Sequence, residues 1–103
     1  RGSIVINPNA RIGKNFSITS GVTIGQENRG KRKGSPKIGD SVWIGSNSTI
    51  VGNVTIGNNV LIAPGSFINF DVPNNSIVIG NPAIIKSNPE ATRGYITWEV
   101  KEK

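Results

Sequence analysis

Residues 38–68 read IGDSVWIGSNSTIVGNVTIGNNVLIAPGSFI, with isoleucine at Ile38, Ile44, Ile50, Ile56, Ile62 and Ile68, every sixth position. The same interval runs through Ile6, Ile12, Ile18 and Ile24 nearer the N-terminus. A second position, four residues on, takes a small or apolar residue: Ala10, Phe16, Val22, Val42, Ser48, Val54, Val60, Ser66 and Val72. Six is not a helical period, because such positions drift around a 3.6-residue turn and leave no stripe. The interval fits short flat segments joined by corners, with one residue per segment pointing inward. A β-branched isoleucine suits an extended segment and stacks on its equivalent in the next coil. Gly13, Asn15, Gly39, Gly57, Asn58 and Asn59 supply corner residues that tolerate a left-handed φ. Three segments close a triangular coil, and coils stacked at roughly 4.8 Å bury their isoleucine columns only against neighbours. The spacing predicts an all-β chain, a parallel β-helix of hexapeptide repeats.

Composition narrows the chemistry. A length of 103 residues favours one domain. Twelve Lys and Arg against six Asp and Glu give a formal charge of +6, and His, Cys and Met are absent. Without Cys there is no disulfide framework, and a zinc site would rest on scattered carboxylates alone. His-based acid–base chemistry and Cys nucleophiles are excluded within these residues. No apolar run approaches the roughly 18–20 residues that cross a bilayer. Hydrophobic content is only 35%, with 13 Gly, a balance common in disordered chains. The regular placement of the isoleucines argues against disorder. The missing Met marks residue 1 as something other than a translational start, and an upstream segment is expected.

Between Ile24 and Ile38 the interval stretches to 14 residues. The extra stretch, Gln26 to Lys37, contains Arg29, Lys31, Arg32, Lys33 and Lys37. With Gly30, Gly34 and Pro36 it cannot continue a flat segment, so it leaves the prism and returns. Past Pro73 the hexads fade, and Ile77 to Gly80 suggest one last strand. The expected division is a solenoid over 1–85, with loop 26–37, and a tail over 86–103. That tail has a breaker at Pro89 and alternation over Tyr95, Ile96, Thr97 and Trp98; it is expected to cap the open last coil. Gly25, Gly30 and Lys31 nearly spell a phosphate-binding P-loop, but Arg32 replaces the required Ser or Thr, and Pro36 forbids a useful helix.

Taken together, the hexads, the basic loop, Pro36-Lys37-Ile38-Gly39-Asp40, Val42-Trp43-Ile44-Gly45, Asp71-Val72-Pro73 and Gly80-Asn81-Pro82-Ala83 resemble the hexapeptide acyltransferases. They look closest to serine acetyltransferases and related sugar or polysaccharide O-acetyltransferases. The resemblance implies a left-handed β-helix, a cytoplasmic homotrimer, and acetyl-CoA as co-substrate in the groove between adjacent subunits, with no metal. It further implies that a His takes the proton from the acceptor hydroxyl, which attacks the thioester directly without a covalent acyl-enzyme. Laid on this chain, that His falls immediately upstream of Arg1. A second family His falls on Ser35, a substitution that leaves room for a sugar hydroxyl in place of L-serine. The 103 residues alone are therefore expected to be inactive.

For the co-substrate, the resemblance points to Ser46 and Pro64, where backbone groups meet the pantetheine arm, and to Asn69 before the Asp-Val-Pro turn. Lys86 is the nearest cation to the place where a basic residue often follows the Pro-Ala step. The basic loop, with Lys31 and Arg32, is solvated surface, or lines the cleft and attracts the phosphates of CoA, or contacts nucleic acid. The absence of interleaved aromatics disfavours the last, and neither nucleic acid nor membrane is expected as a partner. Asp40 and Asp71 are expected to bond turn amides. Trp43 and Phe67 are placed next to corners, available for packing between subunits, and Trp98 is expected to anchor the tail. The non-enzymatic alternative is a structural solenoid or binding module. An ice-binding version needs a regular threonine ladder that Thr19, Thr23, Thr49 and Thr55 do not form.

Overall fold

Val22, Thr23 and Ile24 show how each hexad is used: the first and third side chains are buried and the middle one turns outward. The same alternation repeats at Val42, Trp43 and Ile44 and at Ser48, Thr49 and Ile50. Each flat segment therefore sends two residues inward, where the six-residue period suggested one. The two-residue strand repeat makes the isoleucine and the residue two before it share a face.

The computed structural model describes residues 3–94. The first coil holds β1 (Val5–Ile6), β2 (Arg11–Ile12) and β3 (Ser17–Ile18), and the second holds β4 (Thr23–Gly25), β5 (Lys37–Ile38) and β6 (Val42–Ile44). The third holds β7 (Thr49–Val51), β8 (Thr55–Ile56) and β9 (Val60–Ile62). The last coil carries β10 (Phe67–Ile68) and β11 (Ser76–Gly80), and β12 (Ala83–Ser87) follows. Three sheets result, in orders β1-β4-β7-β10, β2-β5-β8 and β12-β11-β9-β6-β3, and they form the first, second and third faces of a prism. The chain is a left-handed parallel β-helix. No helix among the described residues is long and apolar enough to cross a membrane.

Stacking is in register. Ile6, Ile24, Ile50 and Ile68 are successive partners on the first face. Ile12, Ile38 and Ile56 form the second column, and Ile18, Ile44, Ile62 and Val78 the third. Three serines interrupt the apolar interior: Ser48 and Ser66 on the first face, and Ser76, which stacks on Val60 on the third and donates to Asn74 O at 3.2 Å. Ser48 Oγ donates to Ala63 O at 3.0 Å and accepts the Ser66 N–H at 3.2 Å. Ser66 Oγ donates to the same carbonyl at 2.7 Å and accepts the Gly80 N–H at 3.1 Å, so the two hydroxyls enter the core with their bonds made.

Corners are closed by side chains acting between coils. Asp40 Oδ1 accepts the Lys14 N–H at 2.8 Å, Asn58 Oδ1 the Asp40 N–H at 2.7 Å, and Asn74 Oδ1 the Asn58 N–H at 2.7 Å. Asp71 Oδ1 accepts the Thr55 N–H at 2.9 Å. Asp40 and Asp71 thus bond amides as the sequence suggested, but those of the neighbouring coil. At the corner of Lys14, Asp40, Asn58 and Asn74, the next residues, Asn15, Ser41, Asn59 and Asn75, all hold φ between 54° and 59°, so this edge repeats one left-handed turn in every coil.

Three details differ from the hexad count. Val72 pairs with Ile56, not with Val54, because the last coil is 16 residues long instead of 18; half-buried Phe70 packs against the core beside it. Trp43 is central in β6 and not beside a corner, whereas Phe67 opens β10; both point outward, since each lies between two inward residues. Phe67 is 37% exposed. After β11 the chain reverses through a cis Asn81–Pro82 bond, and β12 pairs antiparallel with β11, which gives the amides and carbonyls of that edge a partner. β12 crosses the boundary expected at residue 85. Residues 88–94 then return to the Asn59 corner: Thr92 Oγ1 donates to Asn59 Oδ1 at 2.6 Å, and Asn59 Nδ2 donates to Pro89 O at 2.9 Å. Gly2 and Tyr95 to Trp98 lie outside the described residues.

Because the isoleucine columns carry the burial, Ile50→Ala should lower the unfolding free energy by about 2–5 kcal/mol. Thr49→Ala, one residue away on the outer surface, should change it by about 0.5 kcal/mol or less. Urea denaturation of both variants checks the contrast.

Candidate functional site

The basic excursion leaves the prism after Gly25, at the corner joining the first face to the second. Glu27 and Gly34 exchange both backbone hydrogen bonds at 2.9 Å, which closes the loop into a narrow neck. One turn of 3-10 helix, Gly30–Arg32, forms its tip. The loop does not float free. The Asn53 N–H donates to Arg32 O at 2.8 Å. A Cβ at Gly34 would lie 2.9 Å from Asn53 Cβ, and one at Gly52 would lie 2.9 Å from Arg32 O. Two glycines therefore permit a close approach that clamps the loop onto the corner of the third coil. Lys37, counted with the loop by sequence, belongs to β5.

Beneath the neck lies a groove of about 410 Å³, lined among others by Asn9, Arg11, Glu27, Lys33, Ser35 and Lys37. Arg11 and Lys37 are direct partners in the parallel pairing of β2 with β5, so two cations stand side by side on the second face. Like charges placed directly opposite repel and weaken the pairing. Lys37 Nζ donates to Asn53 Oδ1 at 3.0 Å, and Ser35 Oγ donates to Asn7 Oδ1 at 3.2 Å. The ion pair found among the described residues is Arg93 with Glu90, so neither the groove's cations nor Glu27 is neutralised by a neighbour. Three cations face one carboxylate.

The residues singled out by sequence fall on separate parts of the prism. Ser35, where the resemblance puts the second family His, lines the groove. Lys31 and Arg32 are exposed at the loop tip and do not line it. Asn69 follows β10, at the corner where the loop leaves two coils earlier, and is exposed. Ser46 and Pro64 occupy the corner between the third and first faces; the Gly65 N–H donates to Ser46 O at 2.9 Å, and a Cβ on Gly45 would meet Pro64 N at 2.5 Å. Ser46 Oγ donates to Thr19 Oγ1 at 3.1 Å. Lys86 is exposed on β12. Within one chain these seven residues do not converge on one site. Among the described residues no group of three His, Cys, Asp or Glu gathers to hold a metal.

Sequence reasoning missed the pairing of Arg11 with Lys37. The signal was present, since each directly precedes a repeat isoleucine, Ile12 and Ile38. Equivalent places in successive coils become neighbours across a ladder.

Comparison with known proteins places the chain. Residues 35–69 match the family model for the bacterial transferase hexapeptide, six repeats. Serine acetyltransferase 2 of Arabidopsis thaliana is 42% identical over 80 residues, covering 78% of this chain and 25% of the relative. The structure of Neisseria gonorrhoeae serine acetyltransferase in complex with serine superposes with a TM-score of 0.72 at 44% identity, over 82% of this chain and 34% of that one. Brucella abortus serine acetyltransferase in complex with coenzyme A gives 0.69 at 33% identity, over 81% and 41%. The chain spans about a quarter of the length of the curated serine acetyltransferases it matches.

If the loop is held by close backbone contact, Gly52→Ala should loosen it, since Gly52 also has φ +91°. Limited digestion with trypsin, followed by mass spectrometry, should then show faster cleavage at Arg29 to Lys33, with other sites unchanged.

Proposed function

We propose that this chain, which has the repeat and fold of the hexapeptide-repeat acyltransferase superfamily and resembles serine acetyltransferase, transfers acetyl from acetyl-CoA to a hydroxyl. The observation that carries this is the combined sequence and structural likeness to a serine acetyltransferase with serine bound, 44% identical at a TM-score of 0.72. L-serine is the acceptor that likeness indicates. Ser35 favours a second acceptor, a sugar or polysaccharide hydroxyl, because a hydroxyl replaces the family's second His in the groove wall.

Acetyl-CoA supplies an activated thioester carbonyl. The acceptor oxygen forms a bond to that carbon as its proton passes to a general base, and the C–S bond breaks to release the CoA thiol. Direct attack requires no nucleophile from the protein, which agrees with a chain that has no Cys. The sequence also has no His, so the His that the resemblance assigns as base is not among these 103 residues.

The co-substrate's chemistry fits the residues available. Exposed Lys31 and Arg32 at the loop tip suit its phosphates, and Lys86 is a further cation for the same end. The corner of Ser46 and Pro64 offers backbone groups to the pantetheine arm, with Asn69 as a polar contact. These residues lie on different edges of one prism, and assembly as a homotrimer brings edges of adjacent subunits together, with acetyl-CoA between them. Residues 86–94, the described part of the tail, serve as a cap of the solenoid. The cytoplasm, where acetyl-CoA is available, is the expected compartment, and the mechanism uses no metal.

Two measurements follow. The 103-residue chain incubated with acetyl-CoA and L-serine should release CoA only at the background rate; robust turnover would place the base within it. In the intact protein, Lys31→Gln with Arg32→Gln should raise KM for acetyl-CoA roughly fivefold, about 1 kcal/mol, and leave kcat nearly unchanged.

A further inference from the structure

Building on the sugar-hydroxyl acceptor above, we propose that the groove beneath the loop selects an acidic sugar, its anionic group held by Arg11 and Lys37 with Lys33 opposite. Three observations lead there. First, Arg11 and Lys37 are direct cross-strand partners, and no carboxylate among the described residues pairs with either. A sequence under selection for stability alone gains by replacing one of them, because adjacent like charges cost free energy in a ladder. An anion bridging both converts the repulsion into two charge-assisted contacts.

Second, the cations are positioned. Lys37 Nζ is tethered to Asn53 Oδ1 at 3.0 Å, and Asn53 in turn holds the loop through Arg32 O. Lys33 is carried to the groove wall by the closed neck at Glu27 and Gly34. The charge and the loop that covers it are thus coupled through one asparagine.

Third, the size and lining fit a polyhydroxylated ligand. The groove, about 410 Å³, is within the range of about 300–1,000 Å³ typical of small-molecule sites. Its wall adds amides and a hydroxyl to the cations, from Asn9, Asn28, Asn53 and Ser35, and contains no large apolar side chain. Such a surface donates to and accepts from sugar hydroxyls, while the cations bind the acid. A carboxylate and a phosphate offer the same oxygens, so a sugar acid and a sugar phosphate both satisfy the groove.

The test titrates the isotope-labelled full chain with D-glucuronate, D-glucose 6-phosphate, D-glucose and L-serine, following the backbone amide signals of Ser35, Lys37 and Asn53 by NMR. One or both acidic sugars should shift these signals with at least about tenfold tighter binding than glucose, equivalent to 1.4 kcal/mol. Which of the two binds tighter identifies the anion. Arg11→Gln with Lys37→Gln should abolish the preference, Arg11→Lys should keep most of it, and salt raised from about 0.05 to 0.5 M should weaken it. Arg11→Gln alone should leave the thermal midpoint unchanged or higher. Equal binding of glucose, or shifts produced by L-serine alone, overturns the proposal, as does a large fall in the Arg11→Gln midpoint, which would make the pair structural. Turnover of acetyl-CoA in the intact protein is assayed separately. Failure with every hydroxyl acceptor would remove the acetyltransferase reading while the titration still reports on the groove.

Discussion

The structure depends on one constraint: each inward isoleucine must lie directly over its equivalent in the next coil. A single coil buries almost nothing by itself, and only the stack removes its side chains from water. Partners such as Ile24, Ile50 and Ile68 are fully buried because a branched side chain of the same shape covers each from above or below. Everything else is subordinate to that alignment. The hydrogen bonds from Asp40, Asn58 and Asn74 lock one corner to the next, and the left-handed turns at Asn15, Ser41, Asn59 and Asn75 repeat so that the columns do not drift.

The same alignment builds the site. Whatever precedes a column isoleucine on the outer face is stacked as rigidly as the isoleucine itself, so Arg11 and Lys37 are set side by side by a core they do not touch. The loop is inserted at a corner, where it interrupts no ladder. Its return is fixed by Gly34 and Gly52, whose missing side chains let the backbone of Arg32 reach Asn53. Core, corner and loop therefore meet at one asparagine, which bonds the loop through its backbone and a groove cation through its side chain.

Much of this was legible in the sequence. The interval of six identified the solenoid, and the break between Ile24 and Ile38 identified the loop. Where the count failed, it did so for physical reasons. Val72 pairs with Ile56 because the final coil is shorter, and the period contains no record of that shortening. The antiparallel return of β12 arises from edge pairing after the repeat has ended, where no period exists to read. Ser48 and Ser66 occupy the second inward position, and their burial was readable, but their shared acceptor at Ala63 is a tertiary feature. For the site, the loop interruption hid the equivalence of Arg11 and Lys37. The clamp onto Asn53 left only two glycines as its trace.

In-register stacking also limits how such a chain can change its length over evolutionary time. Deleting a single residue inside a flat segment would turn every side chain beyond it to the opposite surface, exchanging core for solvent. Viable gains and losses are therefore whole windings, or changes of length near an apex, such as the two residues by which the last coil is shorter. The eight residues added between β4 and β5 are of the second kind, since the coil there measures 26 residues while the one after it measures 18. Chemistry can diversify at that apex without disturbing the pile of coils, much as a ring may be reset while its band is left alone.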